Sequence, residues 1–410
     1  LAEYEGDGAM SWEYKTLDEL GAISRGRSKH RPRNDGTLFG GKYPFVQTAD
    51  VKKANLYLTE YESTYNEKGL EQSKLWKAGT LCITIAANIA DTAILGIDAC
   101  FPDSIMGFIP YDGIANVKFV KYAFDMLQRD CKQISQGTAQ DNLSWQKLST
   151  IKFPTPNIEV QNKIVDYLSA YDDLIENNKK QIELLEEAVE RIYKEWFVDL
   201  HFPGYEDAKI VDGVPEGWKK DRADSFFKIT IGKTPPRAEK QWFVSANNGI
   251  PWVSISDMGN SGTFIFKTDE GVTSEAVKKH NMKVVPSGAI LVSFKLTVGR
   301  VSIATTEMCT NEAIAHFYIT DNEQQAYTYC YLHNFEYDTL GNTSSISKAV
   351  NSKIIKAMTF IMPTKKVINE FSNVVMPILG EIKVKQDMCY KLAEVRDRLL
   401  PKLMSGEIEV

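Results

Sequence analysis

Basic side chains are the residues of this 410-residue sequence whose type and spacing most clearly suggest chemistry. Five positive charges fall within nine residues, which we call the basic segment, and no acidic residue interrupts them: Arg25, Arg27, Lys29, Arg31 and Arg33. Such a cluster can hold phosphate oxygens, so it predicts contact with nucleic acid. A solvated loop is the alternative interpretation.

The acidic residues are concentrated elsewhere, on one predicted helix. Residues 159–199 hold eleven acidic and five basic side chains, so this stretch alone accounts for the net charge of −6. The rest of the chain is balanced, and the overall charge therefore does not exclude a nucleic-acid partner.

Signatures of catalysis and of bound cofactors are missing from the sequence. It has no GxGxxG or GxxxxGK[ST] loop, no HExxH pair and no Gly-x-Ser-x-Gly elbow. Its one Pro-Pro pair, Pro235-Pro236, lacks the flanking residues that a methyltransferase acting on amino groups would need. The six cysteines form no CxxC pair, and the five histidines are isolated. We therefore predict a binding protein that is not an enzyme and has no metal or cofactor of its own.

The sequence also predicts a cytoplasmic location. No apolar run approaches the ~18–20 residues that a membrane span needs. The first ten residues lack the basic and apolar regions of a signal peptide. Scattered cysteines without a pairing pattern are typical of reduced thiols.

A heptad pattern through residues 160–197 predicts the long helix that must position the rest of the chain. Its seam consists of Ile164, Leu168, Tyr171, Ile175, Asn178, Ile182, Leu185, Val189, Ile192 and Trp196. A seam of this length needs a partner, and one lies 207 residues further on, at Phe371, Val375, Ile378, Ile382, Lys385, Cys389, Leu392, Arg396, Leu399 and Leu403.

Two expectations about these helices follow from their polar residues and from proline. If the helices run antiparallel, Asn178 and Lys385, the polar residues at the middle of the two seams, meet near the centre of the helix pair and fix the register of one helix against the other. Pro377 predicts a break in the second helix. Because Pro377 aligns with Ala170 at a displacement of 207, the first helix is expected to break near Ala170. Asp173 and Glu176 would then cap a helix of about 172–198, roughly 40 Å long.

The globular parts repeat as well. Residues Ile250–Asp257 match Tyr43–Asp50 at a displacement of 207 residues. Residues Pro286–Val292 match Lys77–Ile83 at a displacement of 209 residues. Further matches at 209 pair Cys100 with Cys309, Phe108 with Phe317, Tyr122 with Tyr331, Asn142 with Asn351, Lys147 with Lys356 and Pro154 with Pro363. Such spacing indicates a duplicated domain rather than a solenoid.

Short strands mixed with few helices predict an α+β fold. We expect two pseudo-repeated globular domains separated by two long antiparallel coiled-coil helices, with internal pseudo-two-fold symmetry. The predicted bounds are 1–157 for the first domain, 158–199 for the central helical region, 200–363 for the second domain and 364–410 for the C-terminal helical region.

This doubled order of motifs resembles the specificity subunit of type I restriction–modification systems. The motifs that carry the resemblance are Ile229–Pro235, Ile250–Val253 with Ser256-Asp257, Pro286–Leu291, Gln136–Gln140 before Asn142–Ser144, Val160–Val165 and the tail Leu399–Ile408. The likeness covers almost the whole chain. Two features depart from it: Arg25–Lys29 replaces the Gly-Thr-Pro loop in the first domain, and the second helix lacks the usual acidic-Gln entry.

The resemblance implies that each domain is a target recognition domain reading one half of a split, asymmetric DNA sequence. The helices would set the unread spacer and hold two modification subunits, which methylate adenine with S-adenosylmethionine. Restriction subunits that use ATP and Mg for translocation and cleavage would join this core. The chain itself would be non-catalytic.

Candidate DNA contacts follow in both domains. For phosphates we predict the basic segment and, in the second domain, Lys228, Lys233, Arg237, Lys240, Lys295 and Arg300. Thr234 is a further candidate DNA contact. For base edges we predict Gln47, Thr48, Asp50, Ser254, Ser256 and Asp257, with capping of strand ends as the alternative. Two other functions remain open: a duplicated protein-binding scaffold, and a fused methyltransferase or nuclease.

Overall fold

The computed structural model describes residues 12–85, 91–134, 145–340 and 350–410. The predicted loop Gln136–Gln140 and the motif Asn142–Ser144 lie outside these residues. The chain forms two compact units, one comprising the residues up to Glu176 together with 390–410, the other Asn177–Cys389. We call them the first and second units.

The first globular part precedes the first long helix. Its elements in chain order are β1 (Glu13–Lys15), α1 (Leu17–Leu20), β2 (Gly21–Arg25), β3 (Phe39–Phe45), α2 (Thr48–Lys53), β4 (Tyr57–Leu58), β5 (Ser63–Tyr65), α3 (Glu67–Glu71), β6 (Leu75–Trp76), β7 (Leu81–Thr84), β8 (Thr92–Leu95), β9 (Ala99–Cys100), β10 (Ile105–Pro110), α4 (Val117–Ile134), α5 (Trp145–Leu148), β11 (Phe153–Thr155) and the long helix α6 (Ile158–Tyr193), which continues as a π-helical turn over Lys194–Val198.

The first unit contains two mixed sheets and the two-stranded sheet β1-β11. A five-stranded sheet has the order β2-β10-β7-β8-β4, and a four-stranded sheet has the order β5-β3-β9-β6. The central strands β7 and β8 are entirely buried because both faces are covered. Apolar α4 residues such as Phe119 and Phe124 pack on one face, and Trp76 and Phe101 belong to the core on the other. The same core includes Ile164 and Leu168 of α6, so the globular part is packed directly on the helix.

The second globular part follows α6. Its elements are β12 (Ile210–Val211), β13 (Val214–Pro215), β14 (Lys219–Arg222), α7 (Ala223–Phe226), β15 (Lys228–Ile231), β16 (Phe243–Ser245), β17 (Ile250–Val253), α8 (Ile255–Ser261), β18 (Phe264–Ile265), β19 (Glu270–Val272), α9 (Ser274–Lys279), β20 (Ile290–Ser293), β21 (Val301–Ala304), β22 (Cys309–Thr310), β23 (Ile314–Tyr318), α10 (Gln324–His333), α11 (Ser352–Lys356), β24 (Thr359–Met362) and the long helix α12 (Lys365–Met404).

The second unit repeats the first strand for strand in its main sheet. Its five-stranded sheet has the order β15-β23-β20-β21-β18, and in both units only the last pair of that sheet is parallel. Phe108 pairs with Leu81 in the first unit, and Phe317 pairs with Ile290, 209 residues later, in the second. Cys100 lies on β9, which pairs in parallel with β3, the strand before α2, and Cys309 lies on β22, which pairs in parallel with β17, the strand before α8. The predicted duplication and the α+β class are confirmed.

The long helices pack antiparallel, as predicted. In the first unit Asp172, early in α6, binds Arg396, late in α12. In the second unit Trp196 and Phe197, beyond the end of α6, contact Phe371 near the beginning of α12, with ring centroids 5.6 and 4.9 Å apart.

The predicted breaks in these helices are wrong. Both α6 and α12 are continuous, and Asp173 and Glu176 lie in the interior of α6 rather than at its cap. Pro377 is exposed, so the carbonyl that loses its hydrogen bond one turn earlier can bind water. Val375 and Leu379, on either side of it, are buried and hold the helix against the second unit's core.

The predicted seam is correct along α6 and drifts along α12. Ile164, Leu168, Ile175, Asn178 and Ile182 are buried, whereas Leu185 and Ile192 are partly buried. On α12 Ile382 is buried, but Leu379 and Gln386 occupy buried positions where Ile378 and Lys385 were expected. Leu392 and Leu399 are partly buried. A helix of 3.6 residues per turn drifts relative to a strict heptad, which explains the shift by one residue.

The polar residue inside this part of α12 is therefore Gln386, not Lys385. Its side-chain amide accepts from the backbone N–H of Phe264 at 3.1 Å and donates to the carbonyl of Ser261 at 2.8 Å. Lys385 instead forms an ion pair of 3.1 Å with Glu381 on its own helix. Gln386 thus attaches the β18 region to α12.

Replacing Gln386 with leucine is expected to lower the free energy of unfolding by about 2 kcal/mol, because two buried backbone groups lose their partner. The matched variant Lys385→Leu removes only an ion pair with an exposed glutamate and is expected to change stability by less than about 0.5 kcal/mol. Chemical denaturation of both variants measures the difference, and equal losses would restore Lys385 as the register residue.

Candidate nucleic-acid interface

The basic segment continues the edge strand β2 in extended form, and its side chains alternate. Arg25, Arg27 and Lys29 are exposed, whereas Gly26 and Ser28 between them are buried. Backbone bonds hold it, since Gly26 N–H donates to Ile105 at 2.8 Å and Arg27 N–H to Phe101 at 3.0 Å. None of the three cations has an acidic partner among the described residues. They therefore project from one side of an anchored segment, free to bind anions.

Arg31 and Arg33 differ from these three. The Arg33 guanidinium lies 2.6 Å from Asp103, and the Arg31 guanidinium lies 3.9 Å from the same carboxylate. Arg31 also donates to the carbonyls of Ser28 and His30. Asp103 thus partly neutralises the end of the basic segment, a pairing that sequence spacing did not reveal.

The structure brings Arg33, Gln47 and Thr48 together around one cavity of about 440 Å³. Its apolar wall includes Phe39 and Phe45. Asp50, by contrast, is buried and accepts the Gln47 N–H at 2.7 Å, which caps α2. Gln47 and Thr48 are accessible at this cavity, whereas Asp50 serves as a cap, and base contact by all three stays a prediction.

The second unit anchors the corresponding segment in the same way. After β15, Gly232 N–H donates to Ile314 at 3.0 Å and Lys233 N–H to Thr310 at 2.9 Å. These acceptors lie 209 residues after Ile105 and Phe101, the acceptors used by Gly26 and Arg27. Lys233 is therefore the structural counterpart of Arg27, and Gly232 of Gly26.

These two glycines explain why the anchoring works. A Cβ on Gly26 would lie 2.3 Å from the carbonyl oxygen of Pro102, and one on Gly232 would lie 2.0 Å from that of Asn311. Only glycine lets the segment approach so closely. The Gly-Lys-Thr-Pro motif marked this loop in the second unit, and Arg25–Lys29 takes its place in the first, but the sequence did not show that Gly26 is anchored as Gly232 is.

Thr234 and Arg237 are held by acidic partners. The Thr234 hydroxyl donates to Glu312, whose pKa is lowered by that bond. Arg237 forms an ion pair of 2.6 Å with Glu270 and stacks over the rings of Phe243 and Trp252, 4.2 and 4.6 Å from their centroids. Arg237 is half exposed, so it is positioned and still accessible.

The other predicted residues of the second unit divide into exposed and structural groups. Lys228, Lys240, Lys295 and Ser256 are exposed. Arg300 donates to the carbonyl of Ile255 at 2.6 Å. Asp257 is buried and accepts from Ser254, both from its N–H and its hydroxyl, so the two cap α8 as Asp50 caps α2. Asp257, Ser254 and Arg300 therefore each have a structural role, and their contact with DNA stays a prediction.

A buried histidine, which the sequence did not single out, is hydrogen-bonded beside the segment that follows β15 in the second unit. His316 Nε2 lies 2.7 Å from the hydroxyl of Thr310, and its Nδ1 lies 2.8 Å from the hydroxyl of Thr230. Thr310 in turn accepts the Lys233 N–H through its carbonyl. Burial lowers the pKa of His316 from 6.5 to about 3.

This pKa predicts acid sensitivity of the second unit. Between pH 6.5 and about 3 the unfolded chain binds a proton at His316 and the folded chain does not, so stability falls as the pH falls through this window. The expected contribution is about 1.4 kcal/mol per pH unit. Denaturation from pH 7 to 4.5 should show a smaller pH dependence for His316→Gln than for the wild type; identical slopes would contradict it.

Two negative observations limit the chemistry of the described part of the chain. No group of three or more metal-ligating side chains is found within it. None of its helices is both long and apolar enough to cross a membrane.

Comparison with known proteins gives consistent matches. The family model described as "Type I restriction modification DNA specificity domain" matches twice, at residues 10–187 and 215–371. The MjaIX type I restriction enzyme specificity subunit of Methanocaldococcus jannaschii is 26% identical over 97% of this chain and 94% of its own. The HindI specificity subunit of Haemophilus influenzae is 24% identical over 95% of this chain and 98% of its own.

A solved structure shares the fold. The type I restriction–modification S subunit from M. genitalium superposes with a TM-score of 0.58 at 15% identity, and the match covers 97% of each chain. Two family matches that together span most of the sequence, one over each globular part, decide the assignment. The chain belongs to the type I restriction modification DNA specificity domain family.

Proposed function

We propose that the chain is the DNA-specificity subunit of a type I restriction–modification complex and that each unit reads one half of a split, asymmetric target. The observation that carries this proposal is the doubled anchoring of Arg27 and Lys233 by equivalent backbone bonds. The same scaffold thus presents a cation at the same place twice, with different neighbouring residues. Because the backbone is equivalent in the two units but the side chains differ, each unit could bind DNA in the same orientation and read a different base sequence.

Phosphate contacts in this proposal come from the accessible cations, and base contacts from polar side chains beside them. In the first unit these are Arg25, Arg27 and Lys29, with Gln47 and Thr48 at the cavity that Arg33 also lines. In the second unit they are Lys228, Lys233, Arg237, Lys240 and Lys295, with Thr234 and Ser256.

The long helices would hold two modification subunits. Large apolar side chains are exposed along both helices: Tyr167, Leu174 and Val395 in the first unit, and Leu184, Val374, Val384 and Met388 in the second. Exposed apolar residues in such numbers favour a protein partner over free solvent. S-adenosylmethionine, ATP and Mg would be bound by the modification and restriction subunits. The chain itself would be non-catalytic and would work in the cytoplasm.

Mapping methylated adenines across the genome of a host with and without this chain tests the proposal. We expect one motif to lose methylation when the chain is deleted, and that motif to consist of two different sequences around a spacer of fixed length. Loss of no motif would contradict the proposal. Equal binding of all DNA sequences with a shallow salt dependence would favour the protein-binding scaffold instead.

A further inference from the structure

A buried carboxylate in the first unit joins three separate helices. Asp172 of α6 is 3% exposed. Its Oδ2 accepts the hydroxyl of Tyr122, on α4, at 2.5 Å, and its Oδ1 accepts the guanidinium of Arg396, on α12. The globular part and both long helices therefore meet at one side chain. We call these three residues the Asp172 triad.

The two donors to Asp172 keep their protons at neutral pH. Burial opposes the charge of Arg396, but Asp172 and then Asp397 outweigh it and raise the pKa of the guanidinium. Burial, and next to it the charge of Asp172, raises the pKa of the Tyr122 hydroxyl. The phenol therefore remains a donor and the guanidinium remains a cation.

The second unit lacks this ion pair. A displacement of 207 places Val189 and Leu379 at the positions equivalent to Arg396 and Asp172, and both are buried, at 5% and 2% exposure, in one apolar core. Tyr331, the counterpart of Tyr122, donates instead to the carbonyl of Thr359 at 3.1 Å. The same fold therefore forms in the second unit with apolar side chains at the positions that hold the ion pair in the first.

A gain in folding stability does not explain why the first unit has the ion pair between Asp172 and Arg396. Apolar residues of similar volume usually support a core as well as or better than a buried ion pair does. What the pair adds is direction, because charge-assisted hydrogen bonds hold only when both partners keep one geometry. A shift of α12 by one turn, ~5.4 Å, would break the contact with Asp172.

We propose that the Asp172 triad is a positioning site that fixes the first recognition domain on its helices and thereby determines which spacer length the protein accepts between half-sites. This inference rests on the proposed function. One base pair adds ~3.4 Å to the spacer, so a slip of one helical turn would exceed the difference between neighbouring spacers. The two bonds to Asp172 would therefore have to remain intact for a single spacer to be preferred.

The test gives the first unit the residues that the second unit already has, in the double variant Asp172→Leu/Arg396→Val. The full chain is assembled with its modification subunits, and adenine methylation is measured on DNA with spacers one base pair shorter and longer than the mapped target. We expect the double variant to fold and its preference for the natural spacer to fall roughly tenfold, as expected for coupled contacts. Tyr122→Phe, which keeps the ion pair, should give a smaller fall.

Two further variants control for stability. Asp172→Leu alone leaves Arg396 with only the adjacent Asp397, 2.9 Å away, as an ion-pair partner, and should lower the melting temperature by roughly 5 °C. Lys121→Leu/Asp125→Leu removes a partly buried ion pair, of 2.5 Å, that lies beside the triad but has both of its residues on α4. This control should leave spacer preference unchanged.

A folded double variant with the wild-type spacer preference would overturn the inference. An equal loss of spacer preference in the α4 control would also overturn it, since removal of a neighbouring ion pair that joins no two helices would then have the same effect. Absence of any split-site methylation by the wild-type complex would instead refute the proposed function, and with it the inference.

Discussion

Replacing Arg25, Arg27 and Lys29 with serine is expected to lower the affinity of the assembled complex for its target roughly 100-fold in 0.1 M salt. Each phosphate contact contributes about 0.9 to the slope of log affinity against log salt, so the slope should become shallower by about 2.7. The physical reason is that these three side chains are exposed, project from an anchored strand and have no acidic partner among the described residues.

The matched control removes the same charge from the same unit. Lys42, Lys53 and Lys77 each pair with a carboxylate, those of Glu67, Glu62 and Asp98, and their replacement by serine should change the slope by less than about 1. A titration of labelled DNA at several salt concentrations measures both variants. If the control variant loses as much affinity for DNA as the basic-segment variant, the net charge of the protein explains the loss and the basic segment does not contact DNA.

Alanine at Gly232 is expected to lower the stability of the second unit by about 3 kcal/mol, because its Cβ meets backbone and cannot be accommodated by a rotamer change. The nearest atoms are the carbonyl of Asn311 and the hydroxyl of Thr310, both 2.0 Å away. The displaced loop carries Lys233 and Thr234, so recognition of the second half-site should also fail. For a unit of this size the melting temperature should fall by roughly 6–12 °C.

Two glycine variants make this prediction specific. Gly26→Ala should impair the first half-site instead, since its Cβ would meet the Pro102 carbonyl at 2.3 Å. Gly380 lies in α12, where an added Cβ would meet no described neighbouring atom within 4 Å, so Gly380→Ala should stabilise the helix by about 0.5–1 kcal/mol. A tolerated Gly232→Ala, with a wild-type melting temperature, would contradict the assigned loop anchoring.

The repeat could be predicted from the sequence because it rests on many residues at one displacement. Phe108 and Phe317 occupy equivalent strands, and the strand order confirms the two units. The break at Pro377 was predicted wrongly because propensity counts the lost hydrogen bond and not the buried residues on either side. The heptad count placed Lys385 in the seam because it ignores drift of the helix.

Site residues were harder to assign because their partners lie far away in sequence. Arg33 is paired with Asp103, 70 residues later, and Thr234 with Glu312, 78 residues later. Sequence spacing cannot reveal such pairs, and so it could not separate accessible cations from neutralised ones. Asp50 and Asp257 were ambiguous for a different reason, since a carboxylate three residues into a helix fits both capping and base contact.

Binding of the assembled complex to four DNAs tests the central claim most directly. One DNA carries both mapped half-sites, two carry a single half-site with the other scrambled, and one has both scrambled. We expect either single scramble to weaken binding by at least about tenfold, and both together to reduce it to the level of non-specific DNA. Unchanged binding after one half-site is scrambled would contradict recognition of a split target by the two units.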